Sequence, residues 1–105
     1  MKAGINMMLW TPFVEDVHFV IFADLKKAGY DGVEIPLFDG DLKHYKKVKQ
    51  ALSDCGLVCT TSTACLEDRN LISPDPKIRK AGVEHLKWAV DCSAILDSQT
   101  LCGPY

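Results

Sequence analysis

Residues 28–36 read AGYDGVEIP, and this stretch decides how the fold is interpreted. A helical segment stops at Gly29, because glycine readily adopts the left-handed backbone that ends many helices. A short apolar strand follows at residues 31–36, and Pro36 limits how far its hydrogen-bond ladder can continue. A helix that ends directly before a buried strand is typical of α/β proteins, in which crossover helices join parallel strands.

The same order repeats on both sides of this stretch. We predict strands at residues 2–8, 31–36, 57–63 and 100–102, and helices at residues 14–28, 42–55 and 76–96. Asp39 or Asp41 is expected to cap the second helix, and Asp75 followed by Pro76 is expected to begin the third. Helical spacing predicts the buried positions: Val17, Val20, Ile21, Leu25 and Ala28 in the first helix, Leu42, Tyr45, Val48, Leu52 and Cys55 in the second, and Val83, Leu86, Ala89, Val90 and Ala94 in the third.

This alternation predicts a parallel α/β fold in the order β1-α1-β2-α2-β3-α3-β4, and it leaves an open sheet and a barrel both possible. The turn after the first strand, NMMLWT at residues 6–11, has no G-x-G-x-x-G sequence. A dinucleotide-binding Rossmann unit therefore loses its main support. We expect residues 1–105 to form a single incomplete domain, with no second domain.

Composition excludes several classes of partner. A formal net charge of −2 and a pI near 5.8 provide no positive field for nucleic acid. No apolar run approaches the roughly 20 residues that span a bilayer, and the N-terminus lacks a cleavable leader pattern. We therefore expect no membrane partner and a cytoplasmic location. The five cysteines are an odd number without a C-x-x-C pair, which favours reduced, mostly buried thiols.

In a parallel α/β barrel, the chemistry lies where strands run into the loops that precede helices. Glu34 stands in a strand expected to be buried, where a carboxylate needs a partner. It could contact a substrate, support a metal shell or form a structural pair. Trp10 could form an apolar wall against a sugar or only plug the end of the barrel. Asn6 could orient a hydroxyl group or satisfy a neighbouring backbone group.

The remaining candidates follow the third and fourth strands. Ser62, Ala64 and Cys65 belong to the loop after the third strand, and Gly103 follows the fourth. Gly103 would allow a ligand to approach the backbone, although a simple turn would also explain it. The three histidines, His18, His44 and His85, all fall within predicted helices and are expected to face solvent or to be structural.

The sequence resembles a known family over its whole length. The matching segments are residues 1–10, the AGYDGVE of residues 28–34, the NLISPD of residues 70–75, the RKAG of residues 79–82 and the LCGP of residues 101–104. They are similar to the D-tagatose 3-epimerase and D-psicose (allulose) 3-epimerase family of xylose-isomerase-like TIM barrels. NLIS followed by RKAG is the more diagnostic pair, since G-[FY]-D-G-V-E is widespread in the superfamily.

The resemblance implies that this chain is the N-terminal part of a (β/α)8 TIM barrel, about 40% of a typical barrel of about 250 residues. It implies C3 epimerisation of a ketose through a cis-enediolate, with a divalent metal (manganese, magnesium or cobalt) held by two Glu, one Asp and one His. Those ligands belong to later strands, so this chain is expected to carry no metal ligand and no catalytic residue, and to be inactive alone. The substrate-binding expectation covers Asn6, Trp10, Glu34, Ser62, Ala64, Cys65 and Gly103.

Several alternatives remain open. A hydroxypyruvate-isomerase-like or inosose-processing enzyme of the same superfamily would share this N-terminal part, and a non-catalytic half-barrel is also possible. An endonuclease-IV-like hydrolase is disfavoured, because that family draws histidine ligands from early strand ends where this chain has none. Homo-oligomer formation is a further expectation.

Overall fold

Four short parallel strands form the single sheet of the computed structural model, which describes residues 1–105. The strands are β1 (Gly4–Asn6), β2 (Gly32–Pro36), β3 (Val58–Ser62) and β4 (Leu101–Cys102), and they lie side by side in chain order. Each predicted strand is present, within a slightly shorter range. The α/β class is confirmed, and successive parallel neighbours in chain order are the arrangement of the first strands of a TIM barrel.

Three α-helices connect these strands: α1 (Phe19–Lys27), α2 (Leu42–Asp54) and α3 (Pro76–Ile95). Short 3-10 turns lie at Met7–Leu9, Asp16–His18 and Glu67–Arg69. Asp41, rather than Asp39, caps α2 by accepting the backbone N–H of His44 at 2.7 Å. Asp75 caps α3 through the N–H of Lys77 at 2.9 Å, so the predicted start of this helix is confirmed.

One face of the sheet is covered by the helices, and the core lies between them. Residues in register on this face include Val33 beside Cys59 and Ile35 beside Thr61, and all four are buried. The helices contribute the following fully or nearly fully buried side chains: Phe22, Leu25, Tyr45, Val48, Leu52, Ala89, Cys92 and Leu96. No helix is both long enough and apolar enough to cross a bilayer.

The predicted inward faces of α1 and α3 were partly wrong. In the first helical segment, Val17 and Val20 are exposed, because Phe22 and Leu25 fill the space against the sheet. The segment also begins with a 3-10 turn, so α1 starts at Phe19 and not at residue 14. The predicted face of α2 was better: Tyr45, Val48 and Leu52 are buried, whereas Leu42 is exposed.

In α3 the buried stripe is rotated away from the valines. Val83, Val90 and Ala94 are exposed, and Gly82, His85, Ala89, Cys92 and Ser93 face inward. Hydropathy favours valine over histidine and serine, but His85 and Ser93 both find hydrogen-bond partners inside. Partnered polar groups can therefore occupy positions that a hydropathy pattern assigns to apolar residues.

Candidate functional site

A row of polar side chains crosses the face of the sheet that no helix covers. Asn6, Glu34 and Thr60 occupy matching register positions on β1, β2 and β3. The Asn6 Nδ2 group donates to Glu34 Oε1 at 2.7 Å, and the Thr60 hydroxyl donates to Glu34 Oε2 at 3.0 Å. Parallel register thus brings together two predicted site residues, Asn6 and Glu34, with Thr60, which the sequence analysis missed.

The orientation of Asn6 is fixed by a third hydrogen bond. Its Oδ1 accepts the backbone N–H of Met8 at 2.8 Å, so the amide nitrogen must face Glu34. Each oxygen of the Glu34 carboxylate therefore receives one side-chain donor and keeps further accepting capacity. Glu34 is half-buried on the uncovered face, so a hydroxyl group arriving from that side would find a held anionic acceptor.

A groove of about 420 Å³ runs from this polar row toward the N-terminal ends of the strands. Two glycines line it. Gly4 and Gly32 stand in register, and a Cβ on Gly32 would lie 2.7 Å from the carbonyl oxygen of Val58. The side chain of Val58, 61% exposed, lies on this uncovered face beside the groove. This face is therefore uneven and partly apolar, with its charged group at one end.

The other predicted site residues lie at the C-terminal ends of the strands and do not line that groove. Trp10, at the end of the turn after β1, is 45% exposed. Ser62 stands in register with Cys102 at the end of β3, and Ala64 and Cys65 follow it, both half-buried. Gly103 is exposed, and the atoms nearest to it belong to Tyr105.

The surroundings of Cys65, in the loop after β3, affect the ionisation of its thiol. Burial raises the pKa of the Cys65 thiol, an effect that the nearby positive charge of Arg69 opposes. A raised pKa lowers the thiolate fraction, which is the nucleophilic form. The Cys65 thiol is therefore less readily deprotonated than an exposed cysteine.

A metal site needs several ligands that converge on one point. Nowhere in residues 1–105 do three or more His, Cys, Asp or Glu side chains come together in a way that could hold a metal ion. The three histidines also take part in other contacts. His18 Nδ1 accepts the backbone N–H of Glu15, and His44 Nε2 donates to the backbone carbonyl of Val14. His85 is buried. No group of residues in 1–105 could therefore hold a divalent ion by itself, and we assign no reaction step to a metal.

A family model described as xylose isomerase-like TIM barrel matches residues 22–103 of the chain. The chain belongs to this family. The xylose isomerase-like TIM barrel fold explains why the strands of this chain lie side by side in chain order. It also explains why one face of the sheet lacks helices. In a closed barrel that face points inward, toward the strands that complete the ring.

Known relatives of this family member are ketose epimerases. A ketose 3-epimerase from Arthrobacter globiformis is 33% identical, with 98% of this chain and 36% of the relative covered. The D-allulose 3-epimerase from Methylomonas sp., solved in complex with D-allulose, is 26% identical with a TM-score of 0.85, and the match covers 98% of this chain and 36% of that one. A D-psicose 3-epimerase from Clostridium cellulolyticum H10, solved with D-tagatose, is 25% identical with a TM-score of 0.78, over 98% and 37% of the two chains.

The extent of these matches bounds what they establish. This chain spans little more than a third of the length of the relatives that it matches. Its fold agrees with that of the N-terminal part of those barrels over nearly all of its own residues.

Proposed function

We propose that this chain provides the substrate-contacting wall of a sugar isomerase that epimerises a ketose at C3. The observation that carries the proposal is the held carboxylate of Glu34, placed between Asn6 and Thr60 on the face that points into the barrel. Sugars are recognised through hydroxyl groups that need oriented acceptors, and such a row supplies them. The similarity to ketose 3-epimerases supports the choice of a ketose.

Each part of the proposed wall has a distinct task. Glu34 accepts a hydrogen bond from a sugar hydroxyl, and Asn6 and Thr60 keep its carboxylate in one orientation. Trp10, nearly half exposed at the end of the turn after β1, offers an aromatic surface to the C–H groups of the sugar. Ser62, Ala64, Cys65 and Gly103 line the ends of β3 and β4, where small side chains leave room for a ligand.

The family resemblance also implies a divalent ion, which would polarise a carbonyl group of the substrate. No cluster of three ligands occurs in residues 1–105, and in this proposal the chain contributes binding and orientation while later strands hold that ion. We therefore expect residues 1–105 alone to produce no metal-dependent epimerisation of D-fructose or D-tagatose. Measurable turnover by the purified chain would contradict this division of labour.

A sugar titration followed by NMR tests the proposed contacts. D-Allulose, D-fructose or D-tagatose is added to isotope-labelled chain, and Glu34→Gln, which loses the anionic acceptor, serves as the matched control in which binding should weaken. Because only part of a pocket is present, we expect binding in the millimolar range, equivalent to about 4 kcal/mol. The expected shifts are at the Asn6 side-chain amide, which donates to Glu34, at the Trp10 indole and at the amides of Ala64, Cys65 and Gly103. Shifts confined to the outer faces of α1, α2 and α3, or no shifts at all, would contradict the proposal.

Two further expectations belong with this proposal. A cytoplasmic setting agrees with five cysteines that are all free, because oxidising compartments favour disulfides. Homo-oligomer formation stays a prediction, to be checked by light scattering on the protein.

A further inference from the structure

The two most diagnostic sequence segments, NLIS and RKAG, meet in the structure. The loop between β3 and α3 carries the first, and the opening turns of α3 carry the second. Arg79 donates from Nη1 to the backbone carbonyl of Ser73 at 2.7 Å. Within the loop, Asn70 Oδ1 accepts the N–H of Ile72 at 3.0 Å, and Ser73 donates its backbone N–H to the Asn70 carbonyl at 3.2 Å. The loop is thus folded on itself and tied to the helix.

Gly82 allows the loop to lie directly on α3. A Cβ at this position would collide with the backbone carbonyl oxygen of Arg69 and would come within 2.8 Å of Leu71 Cδ2. Glycine in a helix interior weakens the helix, so its presence there needs a reason. The reason here is close approach, which brings the turn Glu67–Arg69 against the helix one turn before His85.

His85 then connects this turn to the end of β3. The Arg69 guanidinium contacts His85 Nδ1, and His85 Nε2 lies 2.7 Å from the hydroxyl of Thr63. The Thr63 hydroxyl in turn donates to the carbonyl of Leu37, at the end of β2. Arginine can only donate, so Nδ1 must accept, and the ring must therefore be neutral with its proton on Nε2. Every donor in this series then has one acceptor.

The surroundings favour the neutral ring. His85 is 6% exposed, and burial, with the positive charge of Arg69, lowers the pKa of its imidazole, while Asp68 acts in the opposite direction. The other charged groups that line the adjoining cavity are Asp39, from the loop after β2, and Glu84, on α3 itself. Protonation of Nδ1 would set two donors against each other at the Arg69 contact.

We propose that His85 is a positioning residue whose neutral imidazole holds the start of the β3–α3 loop, and with it Ala64 and Cys65, in place at the candidate sugar site. Thr63 lies one residue before Ala64, and its backbone N–H also donates to the carbonyl of Cys102 at 3.0 Å. Fixing Thr63 therefore fixes where the loop leaves β3. The inference rests on the proposed function only for what the loop contacts.

Proton and backbone NMR of chain 1–105 without any sugar tests this role. The imidazole nitrogens of His85 and the amides of Thr63, Ala64 and Cys65 are followed as the pH is lowered from above 7. We expect the Nε2–H tautomer, a His85 midpoint below the ordinary value of 6.5, and amide shifts of all three residues with that same midpoint. A protonated or Nδ1–H ring at pH 7, or a midpoint at or above 6.5, overturns the proposal. An unfolded chain would also give a His85 midpoint at or above 6.5.

Two variants separate positioning from bulk packing. His85→Gln retains one donor and one acceptor but does not titrate, so the three amides should keep their neutral-pH positions and lose their pH dependence. His85→Leu retains bulk but loses both hydrogen bonds, so amide exchange at Thr63 should rise about tenfold. His18→Gln, in the distant turn before α1, is the matched control and should leave these amides unchanged. Identical behaviour of His85→Gln and His85→Leu would overturn the proposal.

These measurements fail separately from those on the proposed function. No sugar is present, so the His85 titration can succeed while the sugar titration fails, and the reverse also holds.

Discussion

Replacing Gly82 with alanine sets two known effects against each other. In an unconstrained helix interior, the change from glycine to alanine stabilises by about 1 kcal/mol. Here the new Cβ meets the Arg69 carbonyl oxygen, which is backbone and cannot rotate away, and also Leu71 Cδ2 at 2.8 Å. Overpacking of this kind costs about 1 to 3 kcal/mol. The turn over α3 must move and release Arg69 from His85 as well, so we expect a net loss of about 1 to 2 kcal/mol.

Urea unfolding followed by circular dichroism measures this loss. With a typical slope of about 2 kcal/mol per molar, the Gly82→Ala midpoint should fall by about 0.5 to 1 M. Ala81→Gly is the matched control, since Ala81 is the exposed neighbour on the same turn and should lose about 1 kcal/mol of helix propensity alone. A Gly82→Ala midpoint above that of the unaltered chain would refute the close packing of the loop on α3.

Three further predictions concern the core, the thiols and pH. Phe22→Ala removes a fully buried ring and should lower the free energy of unfolding, measured with urea, by about 3 to 5 kcal/mol. Val20→Ala, at an exposed site, should lower it by under about 0.5 kcal/mol. Similar losses for the two variants would contradict the assigned buried face of α1. Burial raises the pKa of Cys59 to about 11 and that of Cys92 to about 12. A thiol reagent at pH 8 should therefore modify both cysteines only after denaturant is added. Rapid labelling of the native chain would contradict the burial of these two side chains in the core. Because the pKa of His85 is lowered in the folded state, the contribution of His85 to folding stability should be complete above pH 6.5 and should decline as the pH falls from 6.5 through the lowered value. The plots of unfolding temperature against pH for the unaltered chain and for His85→Gln should therefore differ in slope only in that window. Parallel plots would contradict a buried, neutral His85.

The order of the strands could be predicted because it depends on local signals. Gly29 and Gly56 both have positive φ angles, of 101° and 71°, at the ends of α1 and α2. The glycine at residue 29 therefore marked a real helix end, and Gly56 ends α2 in the same way. Once helices and strands alternate, right-handed crossovers leave few topologies for a parallel sheet.

The faces of α1 and α3 could not be predicted as well, because they depend on distant partners. His85 is buried only because Thr63 and Arg69, 22 and 16 residues away along the chain, supply its hydrogen bonds. A periodic pattern contains no such information, so it assigned Val83 and Val90 to the core instead. Tertiary contacts decided between an apolar stripe and a partly polar stripe on the same helix.

The candidate site was predicted in part for a similar reason. Asn6 and Glu34 stood out as polar residues in apolar strands, and the structure joins them. Thr60 did not stand out, because threonine is common in strands. Its register with Glu34 was the missing signal, since only the pairing of β2 with β3 places it in the row.

A graft tests the central claim most directly. Residues 1–105 replace the matching 36% of the Arthrobacter globiformis ketose 3-epimerase, and interconversion of D-fructose and D-allulose is measured against the same enzyme without its first part. We predict that the graft is active, that Trp10→Ala lowers its kcat/KM by about tenfold or more, and that Val20→Ala leaves it unchanged. A folded graft without activity, or one indifferent to Trp10→Ala, would contradict the claim that this chain forms the wall of a ketose pocket.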